Sequence, residues 1–157
     1  MNKLTRHHAT REHGFTLIEV LITLVIMAVG MLGLAGMQIT SLKNTESAYQ
    51  RSQAAQMAYD MLDRMRANTQ GVTENEYNAI DDTPPGSYTD CEAATCTAAQ
   101  MAEFDDATWH AALATLLPSG TGEVDGSGAD SIFTITITWD DTRDGNANTS
   151  FELSSRI

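Results

Sequence analysis

Glu19 has the most unusual surroundings of any ionisable residue in this sequence. It is the only charged residue in the 23-residue run from Phe15 to Met37, which also contains no proline. As a helix rising about 1.5 Å per residue, such a run spans roughly 35 Å, enough to cross a bilayer. A carboxylate at the centre of a membrane helix costs about 2.5–3.5 kcal/mol on insertion scales, and less near its end. A solitary acid kept there marks a candidate functional site.

Two simpler interpretations compete for this segment. Lys3, Arg6 and Arg11 stand against Glu12 upstream of the run, which favours keeping that end in the cytoplasm. A secretory signal peptide would also have a basic start, but it requires an apolar run of about 7–15 residues followed by a small-residue cleavage site. A plain single-pass anchor explains the length and leaves the acid unexplained.

Cys91 and Cys96 are the only cysteines, with four residues between them. Since this part of the chain is expected outside the cytoplasm, a disulfide is the favoured interpretation. Closing so short a loop stabilises a fold by about 2 kcal/mol on the chain-entropy model. The alternative, a metal site, lacks a nearby histidine to complete a four-ligand set.

The remaining polar candidates indicate no catalysis. His110 has no evident nucleophile or acidic partner, so we expect a surface or partly buried histidine. The acidic segment Asp140–Asn148 has some features of a calcium loop. However, Phe151 stands where an EF-hand has its glutamate, and Arg143 adds an unfavourable charge. We therefore favour a solvated hairpin connection there, and predict a non-enzymatic protein without cofactor or metal.

A long helix must position Glu19. Beyond Met37 the helix is predicted to continue to about Asn68, because apolar residues follow one amphipathic stripe. Asp60 and Arg64 have the spacing of a helical ion pair. The stripe consists of Ala54, Met57, Ala58, Met61, Leu62 and Met65.

The rest of the chain predicts a small α+β domain. Residues 69–96 indicate an irregular loop, and Thr97 with Gln100 has capping-box spacing for a short helix. That helix is expected in two pieces around Asp105–Asp106, ending before Pro118. Its buried side is predicted to comprise Met101, Phe104, Trp109, Leu113, Leu116 and Leu117.

Period-two alternation predicts an antiparallel sheet after this helix. Val124 starts a short strand. The next strand, from Ile132 to Trp139, turns Phe133, Ile135, Ile137 and Trp139 to one face, and Phe151, Leu153 and Ile157 belong to its partner strand. The predicted fold class is α+β, a long amino-terminal helix packed on a small antiparallel sheet.

The charge balance excludes one class of partner. The chain carries a formal net charge of −12. Residues 1–14 hold three basic residues and one acid, so removing them leaves six basic and 20 acidic residues, a net charge of −14. Such an acidic surface disfavours binding to nucleic acid.

The segment Gly14–Val20, with the sequence GFTLIEV, resembles the class III signal of type IV prepilins and type II secretion pseudopilins. The resemblance implies cleavage between Gly14 and Phe15 by prepilin peptidase, and N-methylation of Phe15. It gives Glu19 the role of an assembly carboxylate that neutralises the terminal ammonium of a neighbouring subunit. It also implies that the subunit spans the inner membrane once, with a periplasmic head, before assembly. After assembly the subunit is expected in the pilus, at the pilus tip.

A second resemblance covers most of the remaining chain and points to pilus-modification minor pilins of the PilV type. It implies a complex with other minor pilins and the major pilin that primes type IV pilus assembly, with a tip adhesin as a further partner, and a role in twitching motility and adhesion. It is carried by Ser47–Ser52, Ala58–Met61, Asp63–Asn68, Cys91, Cys96, Ala99–Met101, Trp109, Ala112–Leu113, Leu116–Pro118 and Trp139–Asp141.

The two resemblances together give an expected domain organisation. Residues 1–14 form the leader that is removed, 15–37 the transmembrane and assembly half of the helix, 38–68 its soluble half, and 69–157 the globular pilin head. Two alternatives stay open: a minor pseudopilin of a type II secretion system, and a periplasmic binding module that uses the helix only as an anchor.

Overall fold

The computed structural model describes residues 14–127, 132–147 and 149–157, and at Ala79 and Ser127 only the backbone. The predicted leader therefore lies outside the described residues except for Gly14, and Asn148 lies outside them too. The elements in chain order are α1 (Leu17–Ala67), α2 (Thr69–Thr73), a 3₁₀ turn (Glu76–Ala79), α3 (Ala98–Leu116), β1 (Thr121–Ser127), β2 (Ile132–Trp139) and β3 (Thr149–Arg156).

The chain divides into two units within α1: an amino-terminal segment, described over residues 14–43, and a head unit, Asn44–Ile157. Every side chain of the amino-terminal segment is exposed. The helix continues unbroken through Gly30, Gly33 and Gly36. It is long and apolar enough to cross a membrane by length and composition. The predicted extent of this helix, to about Asn68, is confirmed.

Within the head unit, α1 buries the predicted stripe. Ala54, Ala58, Met61, Leu62 and Met65 are buried, and Met57 is partly buried against them. These residues recur every three or four positions, so they share one face of the helix. The predicted ion pair is confirmed on another face, where Arg64 Nε lies 2.8 Å from Asp60 Oδ2.

The sheet has the order β1-β2-β3, and both pairings are antiparallel. On β2 the alternation appears as predicted: Phe133, Ile135, Ile137 and Trp139 are fully buried. In the register with β3, Ile135 pairs with Leu153 and Ile137 with Phe151. A long helix with a small antiparallel sheet confirms the predicted α+β, pilin-like fold class.

Helix α3 contributes Trp109 and Leu113 to the core that the α1 stripe and the sheet share. The Trp109 indole N–H donates to the Met57 carbonyl oxygen at 2.9 Å, which joins α3 to α1. On its other side, the Trp109 ring lies so close to Gly122 of β1 that a Cβ there would overlap it. Glycine is therefore required at this position by close approach.

Two predictions about α3 are wrong. The helix is one continuous piece, since the Asp105 and Asp106 carboxylates bond to other side chains and do not compete for their own backbone. Leu116 is exposed, because the helix ends there and Leu117 turns into the core in extended backbone. The predicted capping box of Thr97 and Gln100 is confirmed, with both of its hydrogen bonds present.

The segment before α3 is more ordered than expected. It contains α2 and the 3₁₀ turn, and the Asn68 side chain caps α2 by accepting from the Gly71 N–H at 3.2 Å. The predicted disulfide between Cys91 and Cys96 is confirmed, with the two Cα atoms 5.6 Å apart. This bond closes the loop immediately before the α3 cap.

Candidate assembly site at the start of the long helix

The predicted cleavage position is exposed to solvent. Gly14 and Phe15 precede the first helical residue, and the Phe15 side chain is 83% exposed. A Cβ added at Gly14 would meet no atom within 4 Å. Packing among the described residues therefore does not require glycine there.

Thr16 caps the helix, a role that the sequence reasoning missed. The Glu19 N–H lies 3.3 Å from Thr16 Oγ1 and 3.1 Å from the Thr16 carbonyl oxygen. Thr16 therefore accepts a hydrogen bond from one of the N–H groups that the first helical turn leaves unpaired. The signal was present: Thr16 and Glu19 have the same spacing as Thr97 and Gln100.

Glu19 lies in the first turn of α1, where the helix dipole favours negative charge. The Glu19 carbonyl oxygen accepts from Thr23 Oγ1 at 2.7 Å. Among the described residues no cation pairs with the carboxylate. A shallow hollow of about 320 Å³ adjoins it, lined by Phe15, Glu19, Val20, Thr23 and Leu24.

Among the described residues, the helix dipole is the interaction that offsets part of the cost of this charge. The dipole contributes at most ~2 kcal/mol even in favourable, partly buried geometries. Placing a carboxylate at the centre of a membrane helix costs about 2.5–3.5 kcal/mol, and less towards the end of the span. A cation supplied by another molecule would stabilise the remainder, and Phe15, at the predicted new terminus, borders the same hollow.

Gly30, Gly33 and Gly36 lie further along the same segment. A Cβ added at any of them would meet nothing within 4 Å. Contacts among the described residues therefore do not explain the glycines. Small residues on a helix face allow close approach between helices in membranes.

The head unit contains a polar network that sequence reasoning did not find. Tyr77 Oη donates to Asp105 Oδ2 at 2.6 Å, and Arg64 Nη1 lies 3.3 Å from Asp105 Oδ1 and 2.7 Å from Thr108 Oγ1. Burial, followed by the hydrogen bond to Asp105, raises the pKa of Tyr77 well above its usual range. The network joins the 3₁₀ turn, α1 and α3, so its role is structural.

The prediction that His110 lacks an acidic partner and is a surface or partly buried histidine is wrong. His110 is 4% exposed, its Nδ1 lies 2.7 Å from Asp106 Oδ1, and its Nε2 lies 3.1 Å from the Gly122 carbonyl oxygen. Burial would lower the pKa of His110, but the hydrogen bond and charge of Asp106 outweigh it and raise that pKa. The missed signal was Asp106, four residues earlier on the same helix face.

The segment after β2 forms the predicted hairpin connection to β3. The buried Asp140 carboxylate accepts from the Thr142 N–H at 3.1 Å and from the Gly145 N–H at 2.7 Å. Burial raises the pKa of Asp140, but the N–H groups of Gly145, Arg143 and Asp144 outweigh it and lower that pKa. The carboxylate thus organises its own loop, and residues 132–147 and 149–157 show no group of metal-ligating side chains.

Two models of known protein families match adjacent segments of the chain. The model of the prokaryotic N-terminal methylation motif matches residues 9–35. The Tt1218-like model, described as type IV pilin Tt1218, matches residues 36–107. No curated protein and no solved structure matched the chain.

The two matches adjoin within α1, and they extend from the exposed helix start through the disulfide loop into α3. The methylation motif implies processing by prepilin peptidase and assembly with other pilins. The exposed apolar helix is consistent with membrane anchoring and with incorporation into a pilus. Residues 36–107 are thus similar to type IV pilins, and the methylation motif at residues 9–35 is the class III prepilin signal.

Proposed function

We propose that this chain is a minor pilin of the PilV type, which joins other minor pilins in a complex that primes type IV pilus assembly. The observation that carries the proposal is the amino-terminal segment, where an apolar helix bearing one carboxylate is exposed along its whole length. Such a helix requires membrane lipid or neighbouring helices around it. The residues of the soluble helix half and the head that resemble the PilV type support the finer assignment.

The proposed mechanism begins with cleavage between Gly14 and Phe15. Cleavage creates an ammonium at Phe15, which is then N-methylated, four residues before Glu19. When subunits pack side by side, the Glu19 carboxylate of one pairs with the ammonium of its neighbour. Two charges that are each costly in lipid become one pair, so the assembled state is favoured over the isolated subunit.

The proposed function is structural and not catalytic. His110 is the one described histidine, and both of its ring nitrogens already face oxygen acceptors in a buried position. It therefore has no free nitrogen with which to act as a base. The proposed partners are other minor pilins, the major pilin and a tip adhesin, and the proposed final location is the pilus tip.

The test is a count of surface pili by electron microscopy in a strain that lacks this chain, with secreted proteins assayed in parallel. We expect few or no pili, reduced twitching and adhesion, and normal secretion. Normal pili with failed secretion would instead assign the chain to a type II secretion system as a minor pseudopilin. Normal pili and normal secretion would contradict both assignments and favour a periplasmic binding module.

A further inference from the structure

Within the head unit, helix α1 is attached to the core more loosely at its start than further along. From Ala54 onwards one face of the helix packs into the core, and Ala54 and Ala58 are fully buried. From residue 44 to residue 49, by contrast, every residue is exposed except Ser47, which is half-buried. Because stabilisation by burial follows the apolar area removed from water, these first turns gain little from it.

Two polar contacts join these first turns to the connection between β2 and β3. Arg143 Nη2 lies 2.6 Å from Glu46 Oε1, and Ser47 Oγ donates to Asp141 Oδ2 at 3.1 Å. We call these four residues the clasp. Both side chains of its ion pair are more than half exposed, and water and salt screen such a pair, so it contributes little. The clasp therefore holds this part of the helix weakly.

Gln50 is the first buried residue of α1, and the burial of its side chain is unfavourable. Its amide nitrogen donates to Glu46 Oε1 at 3.4 Å, a hydrogen bond that lies within the helix itself. Its amide oxygen is buried and has no partner among the described residues. A buried acceptor without a partner has lost its hydrogen bonds to water, and it regains them when it is exposed. Hydration of Gln50 thus favours release of this turn from the core.

The packing beside Gln50 is also incomplete. A hollow of about 260 Å³ adjoins this part of α1, and the end of α3 and Arg143 complete its lining. Side chains that face a hollow have fewer atoms in contact than side chains in a densely packed core, so they attract one another less. The start of α1 in the head unit therefore gains less from packing against α3 than the helix gains beyond Ala54.

We propose that residues 44–50 form a releasable section of α1: the clasp opens and Gln50 moves into water, while Ala54 and the residues after it stay packed. The closed state is the arrangement described above. The open state adds about two helical turns to the exposed part of α1. Hydration of Gln50 favours opening and the weak clasp opposes it, so the two states lie close in free energy. This inference concerns the head unit by itself and does not depend on the proposed function.

The test measures distances between α1 and α3 in the full-length chain in detergent, by double electron–electron resonance between two nitroxide labels on introduced cysteines. The native cysteines do not react, because they are joined in a disulfide. One labelled pair replaces Tyr49 and Thr115, which are exposed and line the hollow. The matched control pair replaces Tyr59 and Ala111, which are exposed on the same two helices, with Tyr59 beyond Ala54.

We expect two distances for the pair at residues 49 and 115, a short one from the closed state and a longer one from the open state. The control pair at residues 59 and 111 should give a single distance. A single distance for both pairs would overturn the proposal. Two distances for both pairs would show that the whole helix moves, and would overturn the claim that opening stops before Ala54.

Two substitutions should shift the ratio of long to short distances in opposite directions. Gln50→Met removes the unpaired amide, so we expect the ratio to fall at least about fivefold. Arg143→Gln removes the ion pair of the clasp, and the ratio should rise by up to about fivefold, since exposed pairs contribute little. Thermal unfolding verifies that both variants fold. A ratio that Gln50→Met leaves unchanged would contradict the proposal, because hydration of that amide would then not favour opening.

Discussion

The two parts of helix α1 belong to one continuous element and are stabilised in opposite ways. From residue 14 to residue 43 every side chain is exposed. Within the head unit, one face of the same helix is fully buried against the core, at Ala54, Ala58 and Met61 among others. The amino-terminal segment has apolar residues all round, whereas the second part confines them to a stripe.

This difference shows where the stabilising contacts of each part come from. Burial within the chain stabilises the second part, so substitutions there should change the free energy of unfolding of the head unit. The first part is not buried against any of the described residues, so substitutions there should change membrane insertion or assembly and leave the head unit unaffected. Glutamates and methionines occur in both parts, which allows matched tests.

The largest difference is expected between two glutamates. Glu19→Gln should lower the incorporation of this chain into sheared pili by about tenfold or more, since losing one partner of a desolvated ion pair costs about 3–5 kcal/mol. Glu46→Gln removes a solvent-exposed partner of Arg143, and should change stability by less than about 1 kcal/mol and leave incorporation intact. Immunoblots of the sheared pilus fraction measure both, and equal incorporation of the two variants would contradict the role of Glu19.

Two methionines test the same comparison through stability. Met61 is fully buried, and Met61→Ala should lower the free energy of unfolding of the head unit by about 2–5 kcal/mol. Met27 is 54% exposed, and Met27→Ala should leave that free energy within about 0.5 kcal/mol of the parent value. Urea unfolding of the full chain in detergent, followed by tryptophan fluorescence, reports the head unit, because both tryptophans lie there. Similar losses in both variants would show that the two parts are not independent.

The sequence was sufficient to predict most of the regular architecture. Period-two alternation located β2 and its buried face, and the apolar stripe located the second part of α1, because both patterns are direct consequences of burying one face. The cap at Thr97 was predicted for a similarly local reason. The continuity of α3 was not, since it depends on Tyr77 and Arg64, which approach Asp105 only in the folded chain.

The candidate site was predictable in part. The lone acid, the cleavage motif and the cysteine pair stand out from composition and spacing alone. The pairing of His110 with Asp106 and the capping by Thr16 had local signals, which competing interpretations of the same residues obscured. The clasp had none, because residues 141–143 approach α1 only in the folded chain.

A smaller effect is expected from the disulfide. Replacing Cys91 and Cys96 with serine should lower the free energy of unfolding by about 2 kcal/mol, because the unfolded chain regains the entropy of a short open loop. Urea unfolding of the variant beside the oxidised parent measures this. Addition of a reductant to the parent should reproduce the loss and leave the serine variant unchanged, and a reductant effect of similar size on both would point to another cause.

The smallest predicted effect is a pH dependence centred on His110. Its folded-state pKa is raised above the ordinary value of 6.5, chiefly because Asp106 outweighs the effect of burial. The protonated pair therefore stabilises the fold fully below that ordinary value, and this contribution is lost as the pH rises through the folded-state pKa. Unfolding free energies measured across this range should fall with pH more steeply in the parent than in His110→Gln. If the unfolding free energies of the parent and of His110→Gln fell equally with pH, the pH dependence would not come from protonation of His110.

The most direct test of the central claim is the intact mass of the native protein from membranes and from sheared pili. The claim is that α1 becomes an assembly element by cleavage between Gly14 and Phe15, which creates the amine that Glu19 pairs with on a neighbouring subunit. We expect a mass that corresponds to residues 15–157 with one added methyl group and the Cys91–Cys96 disulfide. A mass that retains residues 1–14 in the pilus fraction would contradict the claim.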